Sequence, residues 1–467
     1  VVLLHGPAGF AGKFRINGKD QSVVVPAGDE PKIIDVGDVR IVVLNSELAM
    51  RTWHVDESLL FGPAFVGETV DDLTFAHGAK EYFLLTGQSR LSHRKISQPA
   101  QKLVAPRLST WKMSGVANEP IDENLVWQKI DRPRDVDSLG INYGYVWYRA
   151  EINAERAGKK HLYLPECEDR ANIFLNGKPL AVWGRGDGAV REPITASLVK
   201  GKNVLTMLLD NLGRINYGQN LGELKGLWGH IYDAAAIKLS KPAFKKLAEF
   251  DERIIPRRLT HLLPGLKSLP LWRTTIDLTL KPVTPIHLSY HGIDRSMAVI
   301  CNGRVAAFFG RNGAYGDLLL QSELVKGKNR IELLIWGDVD DQTLKPLRLW
   351  ALNENITESA QWSYRSWSVP ETPTSGKGTG RPAWYTATFA APTVDKPLFL
   401  HLAKRGKGQI FLNGRNIGRF WSVGPQENYY LPSCWLREEN QLMIFDETGA
   451  SPLETSLRFC PQGPFAK

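Results

Sequence analysis

The stretch Gln409-Ile-Phe-Leu-Asn-Gly-Arg-Asn-Ile-Gly418, which continues as Arg419-Phe-Trp421, predicts two strands joined by a tight turn. Its apolar and aromatic residues favour strands, and Asn and Gly both accept the positive φ that a type I′ hairpin turn requires. Related copies occur at residues 172–178 and 298–304, each with an Asn-Gly pair. The chain therefore repeats one hairpin three times.

A second marker follows each Asn-Gly pair at the same distance. The offset is 24 residues from Asn176 to Lys200, from Asn302 to Lys326 and from Asn413 to Arg437. Each marker ends in Asn and leads into an alternating apolar run, which predicts another half-buried strand. A strand with a Trp precedes each copy, at Trp147, Trp272 and Trp384. The shared spacing predicts that the three repeats share one topology.

The repeats predict an all-β fold of tandem jelly-roll β-sandwiches. Many short strands with Gly and Pro between them, and no sustained helical periodicity, are typical of this class. We expect a β-rich N-terminal domain at residues 1–100 and jelly-roll sandwiches at 101–242, 243–361 and 362–467. The N-terminal segment repeats the hairpin chemistry at residues 13–19 but lacks the 24-residue spacing.

Composition excludes several classes of function. A chain of 467 residues with 43% hydrophobic residues and 14 Trp is folded and has room for three or four domains. No apolar run approaches the 18 or so residues that a membrane span needs. The net charge of +9 is spread along the chain without a Lys/Arg block. We therefore expect neither a membrane span nor a nucleic-acid partner.

Four cysteines lie far apart and form no CxxC motif: Cys167, Cys301, Cys434 and Cys460. Buried free thiols are the preferred interpretation, and a Cys434–Cys460 disulfide is an alternative if the protein is secreted. The chain opens at Val1 rather than Met, which suggests a processed or excised segment. The lack of a leader therefore says little about the compartment.

Candidate chemistry is sparse along the chain. Glu119 and Glu354 each follow an Asn, but neither lies in the (β/α)₈ context where a glycosidase holds its paired carboxylates, so we interpret both as surface residues. His287 and His291 share one strand face without a third ligand nearby, and the glycine runs match no phosphate loop. We expect no catalytic residue, cofactor or metal in this chain.

Three passages together resemble the C-terminal part of the glycoside hydrolase family 35 β-galactosidases. The first is residues 143–149, the second is residues 209–218 with Lys225-Gly226, and the third is residues 411–421 with Gly424-Pro-Gln426 and Tyr430-Leu-Pro432. The likeness covers residues 140–230 and 380–450. The middle copy departs from the family pattern, because it has Phe308-Phe-Gly-Arg311 where Gly-Arg-aromatic-Trp is expected.

The resemblance implies galactose-binding-like jelly rolls from a larger hydrolase. Such enzymes carry both catalytic glutamates in an N-terminal (β/α)₈ barrel, and no residue here matches either motif. The expected partners are therefore a β-galactoside or other glycan, and a catalytic barrel of the same protein or of a separate chain. The runner-up is a free-standing carbohydrate-binding protein. We expect a secreted, lysosomal or periplasmic location.

The strand after each Asn-Gly turn ends in an aromatic-plus-Arg cluster. Sugar sites combine an aromatic face with a few polar groups, but the same residues also suit packing between domains, which we prefer. The candidates for sugar binding or domain docking are Trp183, Arg185 and Asp187 in the first repeat, Phe309, Arg311 and Tyr315 in the second, and Arg419, Phe420, Trp421, Gln426 and Tyr429 in the third.

A second polar cluster follows a buried strand of the first repeat, at Asn211, Arg214, Asn216 and Tyr217. Polar groups in such a turn most often satisfy backbone groups at a domain junction, which is the preferred interpretation. The alternative is that they contribute to the rim of a barrel active site in the intact enzyme.

Overall fold

A computed structural model describes residues 1–76, 78–87, 91–97, 104–115, 125–216, 221–291, 294–310, 315–367, 382–394, 396–402, 406–424, 426–450, 452 and 454–459. The chain divides into two compact units, one from residues 1–116 and 370–467 and the other from residues 117–369. Strands hold 53% of the residues and helices 5%, which confirms the predicted all-β fold class.

The strands are mostly short. In chain order they are β1 (Val2–Gly6), β2 (Ala11–Ile16), β3 (Lys19–Val24), β4 (Lys32–Val36), β5 (Val39–Asn45), β6 (Thr52–Val55), β7 (Ser58–Phe61), β8 (Phe65–Val66), β9 (Leu73–Thr74), β10 (Glu81–Thr86), β11 (Ser92–Lys95), β12 (Lys112–Gly115), β13 (Gln128–Ile130), β14 (Arg134–Asp135), β15 (Gly144–Ala154), β16 (Gly158–Tyr163), β17 (Cys167–Glu168), β18 (Arg170–Leu175), β19 (Lys178–Gly184) and β20 (Ile194–Leu198). They continue as β21 (Gly201–Asn211), β22 (Gly226–Leu227), β23 (Tyr232–Ala236), β24 (Lys245–Leu247), β25 (Leu271–Leu280), β26 (Ile286–His291), β27 (Ser296–Cys301), β28 (Arg304–Phe309), β29 (Tyr315–Leu320), β30 (Gly327–Trp336), β31 (Leu347–Asn355), β32 (Gln361–Ser366), β33 (Ala383–Ala390), β34 (Leu398–His401), β35 (Lys407–Leu412), β36 (Arg415–Trp421), β37 (Asn428–Leu431), β38 (Glu439–Asp446) and β39 (Ser456–Phe459). The helices are α1 (Ser46–Ala49) and α2 (Leu263–Lys267), with 3-10 helices at Glu252–Ile254, Arg257–Leu262 and Ser433–Trp435.

The unit of residues 117–369 contains the first and second repeats. The sheet β13-β32-β15-β21-β18-β19 belongs to the first repeat and the sheet β24-β25-β30-β27-β28 to the second. Both pack against one further sheet, β20-β16-β23-β31-β26-β29, whose first three strands come from the first repeat and last three from the second. The two sandwiches keep separate cores but share this sheet through the pairing of β23 with β31.

The other unit contains the third repeat and the N-terminal region. In the third repeat the sheet β12-β33-β38-β35-β36 packs against the sheet β37-β34-β39, with Leu400, Ile410 and Ile444 buried in the core. Residues 1–100 form smaller sheets with the strand orders β1-β5-β4, β11-β10-β7-β6, β2-β3 and β8-β9.

Two strands pair across the boundaries expected from the sequence. β12 lies within the predicted segment 101–242 but pairs with β33 of the third repeat. β32 lies at the predicted junction near residue 361 but joins the first sandwich beside β13 and β15. A strand's partner is set by long-range pairing that its own residues do not encode. The three boundaries between the four expected domains stay predictions.

Each Asn-Gly turn has the backbone that its motif predicts. Asn176, Asn302 and Asn413 have φ values of 50°, 48° and 51°, and the following glycines also have positive φ. A β-bulge also lies at the same place in each hairpin, between Ile173 and Phe174, between Val299 and Ile300, and between Ile410 and Phe411. The predicted hairpins are confirmed.

A side-chain contact connects the two markers of every repeat. The turn Asn donates from Nδ2 to Oδ1 of the Asn that ends the second marker, over 3.3 Å to Asn203, 2.8 Å to Asn329 and 2.9 Å to Asn440. The Oδ1 of the turn Asn accepts the backbone N–H of the residue that follows the second-marker Asn, at 2.8 to 2.9 Å; these donors are Val204, Arg330 and Gln441. We call this pair the Asn–Asn latch. It explains the constant spacing, because the two turns hold each other.

Candidate functional site

The end of each sandwich opposite its Asn-Gly turn, here called the distal end, carries a recurrent pair of positions. The first position lies six residues before the Asn of the Asn-Gly turn. The second lies seven residues after the Asn that ends the second marker. They are Arg170 and Asp210 in the first repeat, Ser296 and Trp336 in the second, and Lys407 and Glu447 in the third. All six side chains are buried, so the first and third repeats both hold opposite charges inside the protein where the middle repeat has none.

The distal end of the first repeat is strongly polar. Lys225 Nζ lies 2.7 Å from Asp169 Oδ1, and both side chains are at most 2% exposed. The other oxygen of Asp169 accepts the backbone N–H of Leu212 at 3.0 Å. Arg170 donates to the carbonyl oxygen of Arg185 at 2.8 Å. Buried charges that are paired and hydrogen-bonded in this way fix the strand ends relative to one another.

Arg191 extends this cluster from the first repeat into the second. Its guanidinium forms an ion pair with Glu168 and another with Asp317 of β29, the latter at 2.9 Å. Arg185 approaches Glu168 at 3.0 Å from the other side. Burial raises the pKa of Glu168, although Arg191 and Arg185 oppose the shift. Burial also acts to raise the pKa of Asp317, but His287, Arg191 and His291 together hold it below its ordinary value.

A tyrosine and two histidines complete the network. Tyr163 Oη lies 2.9 Å from His287 Nδ1, and burial raises the pKa of Tyr163, so the phenol donates and the imidazole accepts. The opposite nitrogen of His287 then carries hydrogen and faces Asp317 at 3.9 Å. Burial lowers the pKa of His287 to about 4 and also lowers that of His291, which lies 3.5 Å from Asp317. Both rings are therefore neutral at pH 7.

The predicted aromatic-Arg residues of the first repeat do not form one surface. Trp183 is 2% exposed and packs edge-on against Tyr163 in the core, so its ring offers no face to a sugar. Arg185 takes part in the ion-pair network, whereas Asp187 is exposed on the following turn. Arg185 thus belongs to a network within the protein, and a role of Arg185 or Asp187 in sugar binding or docking stays a prediction.

The second predicted cluster lies along the segment after β21. Asn211 is buried and accepts the backbone N–H of Gly213 at 3.0 Å, as expected for a residue that satisfies the backbone. Arg214 pairs with Asp137 at 2.6 Å, and Asn216 is exposed. Tyr217 lies outside the described residues.

In the second repeat, Phe309 is half-buried against the core. Arg311 lies outside the described residues, and the described part of Tyr315 is its place at the start of β29. Sugar contact in this repeat therefore stays a prediction.

The candidate residues of the third repeat differ in their burial. Phe420 and Tyr429 are 3% exposed, and burial raises the pKa of Tyr429 to about 12. Trp421 is half-buried, with Lys407 Nζ 5.2 Å from its ring centroid. Gln426 is exposed and donates to the Asn428 carbonyl, and Arg419 is half-buried. Their roles in sugar binding or docking stay predictions.

Sequence reasoning did not select several charged residues as site candidates. Asp169, Lys225, Lys407 and Glu447 are buried, and Glu168, Arg191 and Asp317 are half-buried. The sequence did contain a signal for Lys407 and Glu447. Arg170 and Asp210, which are also charged, occupy the equivalent two positions of the first repeat. The contact of Arg191 with Asp317 spans 126 residues and leaves no local pattern.

Metal binding finds no support in the described part of the chain. Those residues contain no group of three or more His, Cys, Asp or Glu side chains able to hold an ion. Cys167 and Cys301 are buried free thiols, as preferred from the sequence, whereas Cys434 is exposed. Cys460 lies outside the described residues, so a Cys434–Cys460 disulfide stays a prediction. Among the described helices none is long and apolar enough to cross a bilayer.

Comparison with protein families identifies the type of these domains. The family described as beta-galactosidase, first all-beta domain, matches residues 133–238, and the family described as beta-galactosidase, galactose-binding domain, matches residues 382–441. These two segments are similar to β-sandwich domains of β-galactosidases. The two matches fall on the first and third repeats, and they confirm the resemblance to the β-sandwich region of the family 35 enzymes.

Human beta-galactosidase-1-like protein 2 is 22% identical over 354 residues, which are 74% of this chain and 36% of the relative. Human beta-galactosidase-1-like protein 3 is 32% identical over 110 residues, 23% of this chain and 16% of that protein. The chain thus spans little more than a third of the first relative and less of the second. The match with a solved GH2 beta-galacturonidase from Eisenbergiella tayi covers 48% of this chain and 38% of that chain at 11% identity, with a TM-score of 0.18.

Proposed function

We propose that this chain is the non-catalytic β-sandwich part of a β-galactosidase-like glycoside hydrolase, and that it docks on and shapes a catalytic (β/α)₈ barrel. The observation that carries the proposal is the match of two of its sandwiches to two different β-galactosidase domain families. The described residues themselves form sheets and no such barrel. We further propose a secreted, lysosomal or periplasmic setting.

The docking face that we favour lies on the first repeat, around the segment after β21. Tyr143, Leu221 and Leu224 are 73%, 62% and 43% exposed there, and large exposed apolar side chains are typical of interaction surfaces. Arg214 and Asn216 belong to the same segment and supply polar groups for a rim. A barrel docked on this face would lie beside Arg214 and Asn216, in agreement with the preferred interpretation of that cluster as part of a domain junction.

Association with a barrel tests the proposal. The catalytic barrel encoded with this chain would be expressed separately, mixed with the chain and measured by calorimetry. We expect the triple variant Tyr143→Ser/Leu221→Ser/Leu224→Ser to weaken association at least about tenfold, because central apolar anchors dominate interfaces. Val199→Ser/Val325→Ser is a matched control, since these side chains are 51% and 52% exposed but lie near the second markers. Equal effects of both variants would contradict the docking face.

The alternative function is a free-standing carbohydrate-binding protein. The match of residues 382–441 to a galactose-binding domain favours it. The coding sequence immediately upstream of Val1 separates the two functions. A barrel with two active-site glutamates supports docking, whereas a signal peptide that ends at Val1 supports the free-standing protein.

A further inference from the structure

Four Asn-Gly turns in the described part of the chain have nearly the same local sequence. In each of them the Gly is followed by Lys or Arg, and the asparagines are Asn17, Asn176, Asn302 and Asn413. All four have a positive φ, between 47° and 51°. A fifth pair, Asn312-Gly313, lies outside the described residues. Neither local sequence nor backbone φ therefore distinguishes the four turns.

The Asn–Asn latch fixes the side chain of three of these asparagines. Asn302 donates through the latch and to the carbonyl of Glu323, both at 2.8 Å, and accepts the N–H of Arg330 at 2.9 Å. Asn413 makes three equivalent bonds of 2.8 to 2.9 Å. The Nδ2 of Asn176 has the latch bond alone among the described residues, at 3.3 Å, and its Oδ1 accepts a backbone N–H at 2.8 Å. The carboxamide is thus held in all three repeats, and least firmly at Asn176.

Asn17 has no latch. The N-terminal hairpin lacks the second marker, and none of the described residues forms a hydrogen bond with the exposed side chain of Asn17. Its strands β2 and β3 form a two-stranded sheet, whereas the other three turns belong to sheets of five or six strands. A two-stranded hairpin is only marginally stable by itself, so this turn opens at a lower free energy than the latched turns.

An asparagine before glycine readily loses its side-chain amide, because glycine has no Cβ to shield its backbone nitrogen. That nitrogen attacks Cγ of the asparagine and forms a cyclic imide, and the amide group leaves as ammonia with the proton from the glycine N–H. Water then opens the imide at either carbonyl, which gives aspartate or isoaspartate. The attack requires Cγ to rotate toward the glycine nitrogen. A carboxamide in the latch cannot rotate until its hydrogen bonds break.

We propose that Asn17 is the deamidation site among the described Asn-Gly turns, and that the latch protects Asn176, Asn302 and Asn413. Conversion replaces a neutral amide with a carboxylate two residues before Lys19. Isoaspartate also adds a carbon atom to the backbone of the turn, which disturbs the register of β2 and β3. Because the imide does not regain ammonia in water, the product accumulates as the protein ages.

Peptide mapping by mass spectrometry tests the proposal on the full chain after incubation in mildly alkaline buffer. We expect Asn17 to convert at least about tenfold faster than Asn302 and Asn413, with Asn176 between them, because the latched side chains must first break two or three hydrogen bonds. In urea the four sites should convert at similar rates, since their local sequences match. A lead of Asn17 that persists in urea would mean that local sequence, not the latch, sets the order.

Breaking one latch provides the matched comparison within a single molecule. Asn203→Ala removes the Nδ2 bond of Asn176 and should speed its conversion about fivefold or more. Asn302 and Asn413 should keep their rates, which also shows that the variant is folded. Asn329→Ala makes the same test at Asn302 and covers the case in which the first variant unfolds.

The proposal is overturned if all four sites of the folded chain convert at one rate, or if a latched asparagine converts faster than Asn17. A folded Asn203→Ala variant with an unchanged rate at Asn176 would also overturn it. The assay contains no barrel, so each of these results leaves the docking proposal standing.

Discussion

Lys407 Nζ lies 2.7 Å from Glu447 Oε2, and neither side chain is more than 1% exposed. The two residues stand at the strand ends of the third repeat, and the backbone N–H of Glu447 also donates to the carbonyl of Lys407 at 2.7 Å. A buried charge pair of this kind is tolerated only while both residues are present, because either charge alone would be buried without a partner.

Breaking this pair should destabilise the protein more than removing it. We expect Lys407→Met or Glu447→Gln alone to cost about 3–5 kcal/mol, because one charge is left buried without its partner. The double variant Lys407→Met/Glu447→Gln should cost clearly less than the sum of the two single variants. Urea unfolding measures all three. Arg15→Met, in the exposed Arg15–Asp20 pair of the same unit, is the control and should have little effect. Additive costs would mean that the two charges do not depend on each other.

The Asn–Asn latch should contribute similarly in every repeat. Asn203→Ala, Asn329→Ala and Asn440→Ala each remove a side chain that bonds the turn Asn and its own loop backbone, and each should cost about 1–3 kcal/mol. Asn153→Ala, at an exposed position of β15, is the matched control. A cost for one repeat alone would show that the shared spacing has no shared energetic basis. Chemical denaturation followed by tryptophan fluorescence provides the measurement.

Acid should destabilise the unit of residues 117–369 through His287. Burial lowers the pKa of His287 to about 4, against an ordinary value of 6.5. Between these two pH values the imidazole is protonated in the unfolded chain and neutral in the folded chain. The contribution of His287 to the free energy of unfolding is complete above pH 6.5. It is lost as the pH falls toward 4, and the loss is roughly 3 kcal/mol at most.

Urea unfolding at pH 7.5, 6, 5 and 4.5 tests this dependence. His287→Asn should flatten the decline but not abolish it, because burial also lowers the pKa of His291. His161→Asn, at an exposed position of the same unit, should leave the slope unchanged. An unaltered slope in His287→Asn would contradict the assignment.

Removing Arg191 should give the opposite pH response. Arg191→Met leaves Glu168 and Asp317 without the cation between them, and we expect a loss of about 3–5 kcal/mol at pH 7. Part of that loss should return as the pH falls, because the carboxyl groups take up protons and the repulsion between them ends. Arg191→Lys should retain more stability at pH 7. Hydrogen exchange of β29 and β17 amides would show whether both repeats loosen.

The local features of this fold were predictable, and the distant ones were not. Asn413 and Gly414 predict a turn because few residues tolerate that backbone, and the latch reappears wherever the spacing does. Trp183 was expected to present its ring outward or to a neighbouring domain, yet it lies in its own core, because alternation does not say which face of a strand is covered. The contact of Arg191 with Asp317 depends on a sheet shared by two repeats, which neither repeat encodes alone.

The position of β32 has a consequence for synthesis. This strand completes the first sandwich by pairing with β13 and β15, yet it comes after the whole second repeat in the chain. A ribosome adding about 5–20 residues per second therefore leaves one edge of β15 open for several seconds or more after β23 has emerged. An open edge strand invites pairing with other chains. The first sandwich is completed only by residues that follow the second repeat, so the two repeats finish folding together.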